Sequence, residues 1–180
     1  MKALLAVTLV LTAQVATPDL PTFEFENYDG RVVTNAVFEG KTTIVVPTYA
    51  KCVFACPLIT LRLTQLDEAL GAPADLQYLH LSIQPEEDAA EEILSHFGDH
   101  EIDATNDLRW LFVNAPGNDI RRFLDHTGIE IERTPVDGGD VIRHTIRVWV
   151  VGPDGQTVAA FDTYSWNDKE MRDAIHFSLD

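Results

Sequence analysis

The sequence predicts an α/β layered domain built on a mixed β-sheet. Continuous β-branched runs, such as residues 42–46, alternate along the chain with segments whose apolar residues recur at helical spacings. Toward the end of the chain, two apolar runs flank Gly152-Pro153-Asp154-Gly155, which is typical of a hairpin, and a last helical segment follows. Alternating strands and helices favour parallel pairing, whereas the hairpin is antiparallel, so we expect a mixed sheet.

The elements can be assigned in order from the N-terminus. Phenylalanines and glutamates alternate over residues 23–26, and an Asp29-Gly30 turn leads into residues 31–34, which together predict an N-terminal hairpin. The run at 42–46 predicts a strand that is buried on both faces.

The remaining predicted elements are a helix at 57–70, a strand at 76–83, a helix at 90–97, a strand at 108–113, a helix that opens at Pro116 and Gly117 and carries Ile120, Phe123 and Leu124, a loop at 130–140, strands at 145–151 and 157–161, and a helix from Asn167. This order matches the thioredoxin-like arrangement β-α-β-α-β-β-α with additions. We therefore predict a three-layer domain with a central mixed sheet and an extra N-terminal hairpin.

Length and composition exclude several classes of protein. A chain of 180 residues suits one domain with a sizeable core, and 46% apolar with 23% charged residues is typical of a globular protein. The formal net charge is −16 at pH 7. Such a surface repels phosphate backbones, so we predict that nucleic acid is not a partner.

The N-terminal residues have the layout of a secretory signal. Lys2 precedes an apolar stretch at 3–11, which small and polar residues follow as far as Ala16. The stretch is too short for a membrane span. We predict a signal peptide over 1–17, a single domain over 18–180, and export to the periplasm or another extracytoplasmic space. If the signal were left uncleaved, it would tether the protein to the inner membrane.

Two cysteines, Cys52 and Cys56, follow the first buried strand. Proline is favoured at the start of a helix, so we predict that a helix begins at Pro57 with Cys56 as its N-cap. The positive end of the helix dipole would then lower the pKa of both thiols. A disulfide closing so short a loop would contribute only roughly 2 kcal/mol. Chemistry therefore explains the pair better than a structural disulfide does.

Two thiolates alone make a poor copper site, and an imidazole usually completes it. His144 follows the loop at 137–140 and precedes a predicted strand, so a thioredoxin-like layout turns it toward the cysteines. The five other histidines are expected on the surface or in the core; they are His80, His96, His100, His126 and His176.

Several short segments occur along the chain in a recognisable order. They are Asp29-Gly30-Arg31, Gly40-Lys41, the Cys-x-x-x-Cys-Pro segment at 48–57, the segment at 81–88, His144-Thr145, and the segment at 150–155. Together they resemble the Sco/SenC family of copper-binding proteins, which assist assembly of the dinuclear copper centre of cytochrome c oxidase. The resemblance covers nearly all of the chain after the signal. It implies a thioredoxin-like fold, and it implies that Cys52, Cys56 and His144 are copper ligands.

Four residues depart from the family pattern. Val53 and Phe54 stand where a proline and an acidic residue are common, and Gln84 stands where an aspartate is common. Arg143 replaces an acidic residue before the histidine. We expect its charge to keep the imidazole of His144 neutral and able to ligate a metal.

The leading hypothesis is a copper metallochaperone that carries copper, as Cu(I) or as Cu(II), through its cysteine and histidine site. Its partner would be a copper-accepting oxidase subunit or another cysteine-bearing exported protein, and any membrane contact would come through that partner or an uncleaved N-terminus. The alternative is a thiol–disulfide oxidoreductase in which Cys52 attacks and Cys56 resolves. A plain disulfide in a binding module ranks third. A peroxidase ranks lower still, because no well-placed arginine accompanies Thr48.

Overall fold

The computed structural model describes residues 20–114, 119–137 and 139–179 of the chain. Its elements are β1 (Glu24–Asn27), β2 (Val32–Thr34), a short 3-10 helix (Asn35–Phe38), β3 (Thr42–Thr48), α1 (Ala55–Leu70), β4 (Leu76–Ser82), α2 (Ala90–Gly98), β5 (Trp110–Asn114), α3 (Asp119–His126), β6 (Ile131–Val136), β7 (Gly139–His144), β8 (Val148–Val151), β9 (Thr157–Phe161) and α4 (Asp168–Leu179). The predicted signal peptide at 1–17 and the predicted helix start at Pro116 and Gly117 lie outside the described residues. Within the described residues, no helix is both long enough and apolar enough to cross a membrane.

The central sheet contains seven strands in the order β2-β1-β5-β4-β3-β8-β9. β3 pairs in parallel with β4 and β4 with β5, whereas β1, β8 and β9 pair antiparallel to their neighbours. The mixed sheet and the N-terminal hairpin are therefore confirmed. Every residue of β3 is buried, as its continuous β-branched run predicts.

Two apolar clusters lie on opposite faces of the sheet and make it the middle of three layers. In β3, Ile44 and Val46 belong to the cluster under α1, α2 and α4, whereas Val45 belongs to the cluster under α3. The alternation follows from the two-residue period of a strand. Leu63 of α1 and Phe97 of α2 are fully buried in the first cluster. Burial of each such side chain contributes roughly 1.5–3 kcal/mol, and it holds α1 and α2 against this face of the sheet.

The segment predicted as a loop at 130–140 is instead largely a two-stranded antiparallel ribbon, β6 with β7, separate from the central sheet. Its register pairs Ile131 with His144. β6 is mostly exposed, so its sequence lacks the alternation of apolar and polar residues by which a half-buried strand is recognised. Pro135 also disfavours the prediction of a strand, although proline is tolerated in an edge strand. The next strand, β8, begins at Val148, so residues 145–147 connect the ribbon to the sheet.

Candidate metal and redox site

The loop between β3 and α1 carries both cysteines. α1 begins at Ala55 with Phe54 as its N-cap, so the prediction that it begins at Pro57 with Cys56 as the N-cap is wrong. Cys56 and Pro57 lie inside the first turn, where proline is tolerated because N–H groups have no intrahelical partner. The Sγ of Cys52 accepts a hydrogen bond from the Cys56 N–H at 3.4 Å. This sulfur therefore acts in place of a capping side chain.

The two thiols are free and differ in their environment, since Cys56 is buried and Cys52 is half-buried. A hydrogen bond from the Cys56 thiol, aided by the N–H groups of Phe54 and Cys56 and the hydroxyl of Tyr49, lowers the pKa of Cys52 to about 5. The pKa of Cys56 is raised, because its thiol donates to the Cys52 sulfur and because it is buried; these effects outweigh the hydrogen bonds from Tyr49 and Thr48 that lower it. The predicted lowering of both thiol pKa values is thus confirmed for Cys52 and wrong for Cys56. One proton stays on the inner sulfur while the outer sulfur becomes a thiolate.

His144 ends β7 and does not directly precede a strand of the central sheet. Its Nδ1 lies 2.9 Å from the carbonyl oxygen of Thr145. A carbonyl only accepts hydrogen bonds, so Nδ1 carries the proton and the lone pair of Nε2 is left for a ligand. Burial lowers the pKa of His144 and keeps the ring neutral. We expected the charge of Arg143 to keep this imidazole neutral, but the side chain of Arg143 is exposed, and burial of His144 has this effect instead.

Cys52 and His144 line one cavity of about 740 Å³ between the start of α1 and β7. The ring of Tyr49 lies edge-on to His144, with 6.5 Å between the ring centroids, and its hydroxyl helps to lower the pKa of Cys52. Tyr49 lines the same cavity and so neighbours both of the groups that the sequence predicts to act together. Cys56 does not line the cavity and lies behind Cys52.

Cys52 and His144 line one cavity and Cys56 contacts Cys52, but the three predicted ligands are not arranged as a finished metal site. Among the described residues, no three His, Cys, Asp or Glu side chains are grouped closely enough to hold a metal ion. The donor types themselves, two sulfurs and a neutral imidazole nitrogen, suit a soft metal such as Cu(I). The ligand set of Cys52, Cys56 and His144 stays a prediction.

Asp88 holds the loop that carries the cysteines through a hydrogen bond to Ala50. The sequence alone did not identify it as a site residue. Its carboxylate accepts hydrogen bonds from the Ala50 N–H at 2.9 Å and from the Ser82 hydroxyl at 2.5 Å. Burial raises the pKa of Asp88 to about 6. Gln84, which replaces the aspartate of the family pattern, is buried and lines the cavity. The segment after β4 therefore fixes the approach to Cys52.

Two of the remaining histidines lie in the core. His80 is fully buried in β4, and neither of its ring nitrogens has a hydrogen-bond partner among the described residues. The Nε2 of His96 lies 3.0 Å from the hydroxyl oxygen of Thr60. Both lie apart from the cavity that contains Cys52, in agreement with their predicted structural role.

Comparison with known proteins identifies the family of this chain and finds solved structures with the same fold. The sequence model of the SCO1/SenC family matches residues 13–179. A SCO1 protein homolog from Bacillus subtilis (strain 168) is 25% identical over 142 residues, which cover 78% of this chain and 72% of that protein.

Two solved structures share the fold. Bradyrhizobium japonicum ScoI with copper bound has a TM-score of 0.75 and 19% identity, and the match covers 90% of this chain and 100% of that chain. BsSco, described as a member of the Sco family of cytochrome c oxidase assembly proteins with a disulfide switch, has a TM-score of 0.73 and 21% identity, with 93% and 96% covered. These matches confirm the thioredoxin-like architecture. The chain belongs to the SCO1/SenC family.

Proposed function

We propose that this chain binds copper through Cys52, Cys56 and His144 and delivers it to a cysteine-bearing subunit during assembly of the dinuclear copper centre of a respiratory oxidase. One observation carries the proposal: a sulfur that favours the thiolate and an imidazole with a free Nε2 line the same cavity. Thiolates and imidazole together suit Cu(I). Copper is cargo in this function, so the site has to release the ion as well as bind it.

The protonation states of the three donors differ before copper arrives. At pH 7 Cys52 is a thiolate and His144 is neutral, whereas Cys56 keeps its proton. Metal ligands have to be deprotonated, so loading with Cu(I) should release roughly one proton, from Cys56. Calorimetric titration in buffers of different ionisation enthalpy measures that number.

The ligand set is tested by titrating the reduced, metal-free protein with Cu(I) against a competing chelator. We expect one copper per chain and an affinity at least about tenfold lower in His144→Ala, which corresponds to about 1.4 kcal/mol. His176→Ala is the matched control, because His176 is exposed on α4, outside the cavity. Uptake far below one copper per chain, or equal affinities for the His144 variant and the unaltered protein, would contradict the proposal.

We also propose that the chain acts outside the cytoplasm. The support is Lys2 followed by the apolar stretch at 3–11, the layout of a secretory signal. Expression of the full chain in bacteria, followed by fractionation and mass spectrometry of its N-terminus, tests this. Protein found in the cytoplasm with an intact N-terminus would contradict it.

A second candidate function is thiol–disulfide exchange, and the division of labour between the two sulfurs favours it. The Cys52 thiolate would attack a partner disulfide and form a mixed disulfide, while one partner sulfur leaves as a thiolate. Cys56 would then lose its proton and attack Cys52, which forms the Cys52–Cys56 disulfide and frees the second partner thiol. The partner gains two electrons and the cysteine pair loses them, so a dithiol reductant has to restore the starting state.

Reduction of a peptide disulfide by the reduced chain separates the two functions. For thiol–disulfide exchange we expect Cys52→Ser to abolish the reaction and His144→Ala to leave its rate within about twofold, because the imidazole takes no part in sulfur exchange. Copper binding, in contrast, requires His144. A reductase rate that falls equally in both variants would contradict this separation of roles.

A further inference from the structure

β7 has one edge that is paired with β6 and one that has no strand partner among the described residues. The Thr145 N–H donates to the Glu130 carbonyl at 2.9 Å, which makes these two residues a hydrogen-bonded pair. In an antiparallel ladder such pairs alternate with non-bonded pairs. In β7, therefore, Val141 and Arg143 direct their backbone groups toward β6, and Ile142 directs its N–H and C=O to the other side.

Pro135 agrees with this assignment of the ladder. It lies opposite Asp140, at a position where the alternation requires no hydrogen bond between the strands. Proline has no N–H, so it fits that position and would disturb either neighbouring one. The outward backbone groups of β7 are thus those of Asp140, Ile142 and His144.

The unpaired edge of β7 faces the cavity that contains Cys52. Five successive residues, 140–144, line this cavity, whereas no residue of β6 does. Side chains of successive strand residues point to opposite faces, so a cavity that meets five in a row lies along the strand edge. An extended segment paired with this edge would run past Cys52 within the same cavity.

The surroundings of the cavity indicate which kind of segment fits. Val53 and Phe54 are 93% and 73% exposed beside Cys52, and Val141 of β7 is 43% exposed. Large apolar side chains gathered at one opening are typical of an interaction surface.

The charges around the same cavity cancel. Lys51 and Arg143 are offset by Glu87 and Asp140, although the chain as a whole has a net charge of −16. Charge complementarity therefore favours a segment without charge at this place, whereas the rest of the surface would favour a basic one.

We propose that an uncharged, apolar, cysteine-bearing segment of the partner adds to β7 as a third strand and so presents its cysteine to Cys52. Main-chain hydrogen bonds to Ile142 and His144 supply the pairing, and contacts with Phe54 and Val141 select apolar side chains. That the segment bears a cysteine rests on the proposed function; the strand addition rests on the geometry of β7.

The test uses a synthetic eight-residue peptide of Val, Thr and Gly with a central serine in place of cysteine, added to the metal-free reduced protein. Amide hydrogen exchange measured by NMR should slow at least about tenfold at Ile142 and His144, since strand pairing protects amides. Val141 and Arg143 are internal controls, because their N–H groups already face β6. A peptide N-methylated at the alternate residues whose N–H groups would face β7 should leave amide exchange at Ile142 and His144 unchanged.

A pair of variants tests the apolar surface. Val141→Glu should weaken peptide binding at least about tenfold, whereas Val136→Glu, the same change on an exposed ribbon residue outside the cavity, should not. Unchanged exchange at Ile142 and His144, or equal binding of the N-methylated peptide, would overturn the strand addition. Because the peptide lacks a thiol and the protein lacks copper, this failure is distinct from failure to bind Cu(I).

Discussion

Removal of the Cys56 thiol should raise the pKa of Cys52. The donated hydrogen bond from Cys56 is the largest influence that holds this pKa at about 5, and backbone N–H groups and Tyr49 add to it. A hydrogen bond to a charged group contributes about 1.5–3 kcal/mol, and one pKa unit corresponds to about 1.4 kcal/mol. Cys56→Ala should therefore raise the pKa of Cys52 by roughly one to two units. Cys56→Ser keeps a hydroxyl donor and is the matched control.

The absolute reaction rate is a poor measure of this shift. Relative to an ordinary thiol with a pKa near 8.5, a thiol with a pKa of about 5 has roughly 30 times more thiolate at pH 7. Thiolate nucleophilicity falls with pKa at a Brønsted coefficient of about 0.4–0.5, which lowers its reactivity roughly 40-fold. The two effects nearly cancel, so the informative quantity is the pH at which the rate reaches half of its plateau.

The assay is alkylation of the reduced, metal-free protein with iodoacetamide between pH 4 and pH 9, followed by mass spectrometry. We expect a plateau above about pH 6 in the unaltered protein, from its Cys52 pKa of about 5, and a midpoint one to two units higher in Cys56→Ala. Cys56→Ser should stay close to the unaltered protein. A midpoint above pH 8 in the unaltered protein, or equal midpoints for the two variants, would refute the assignment of the shared proton.

Two further predictions concern the core. His80→Leu should raise the free energy of unfolding by about 1–3 kcal/mol, because His80 buries two ring nitrogens that have no partner among the described residues. Burial holds the pKa of His80 well below its usual value, so below about pH 6.5 the imidazole takes up a proton only in the unfolded chain, and acid destabilises the fold. Urea midpoints at pH 7 and pH 5 should therefore differ less in His80→Leu than in the unaltered protein. Arg109→Met should lower the free energy of unfolding by about 3–5 kcal/mol in urea, since it leaves the Asp67 carboxylate, now 2.6 Å from the guanidinium, without its cation. Lys169→Met, which breaks an exposed ion pair, should change it by less than about 1 kcal/mol.

The central sheet and the helices could be predicted because buried strands and helices have regular patterns of apolar residues in the sequence. The run at 42–46 is apolar and β-branched throughout, and the strand is buried throughout. In α1 the apolar positions Ile59, Leu63 and Leu66 recur at helical spacing, and all three are buried. Such patterns are local in sequence, so no knowledge of the tertiary contacts is needed to read them.

The details of the site depend on tertiary contacts, which produce no recognisable local pattern in the sequence. Glu86, Glu87 and Asp88 form one acidic run, yet only Asp88 is turned inward to hold the cysteine loop. The proton shared by Cys52 and Cys56 likewise depends on which sulfur is buried, and their spacing alone does not reveal it. Sequence reasoning could name the cysteines, but their different protonation states follow only from the fold.

The ribbon is the part of the site that pattern reading missed, and it holds His144. A two-stranded ribbon is marginally stable by itself, and β6 is mostly exposed. Cys56, in contrast, is fixed in the first turn of a helix that packs on the core. Of the three proposed ligands, His144 is therefore the one whose position depends most on tertiary contacts, such as the packing of Ile131 and Ile142 on the core. The partner strand that we propose would extend the same ribbon along β7 and would lie beside His144.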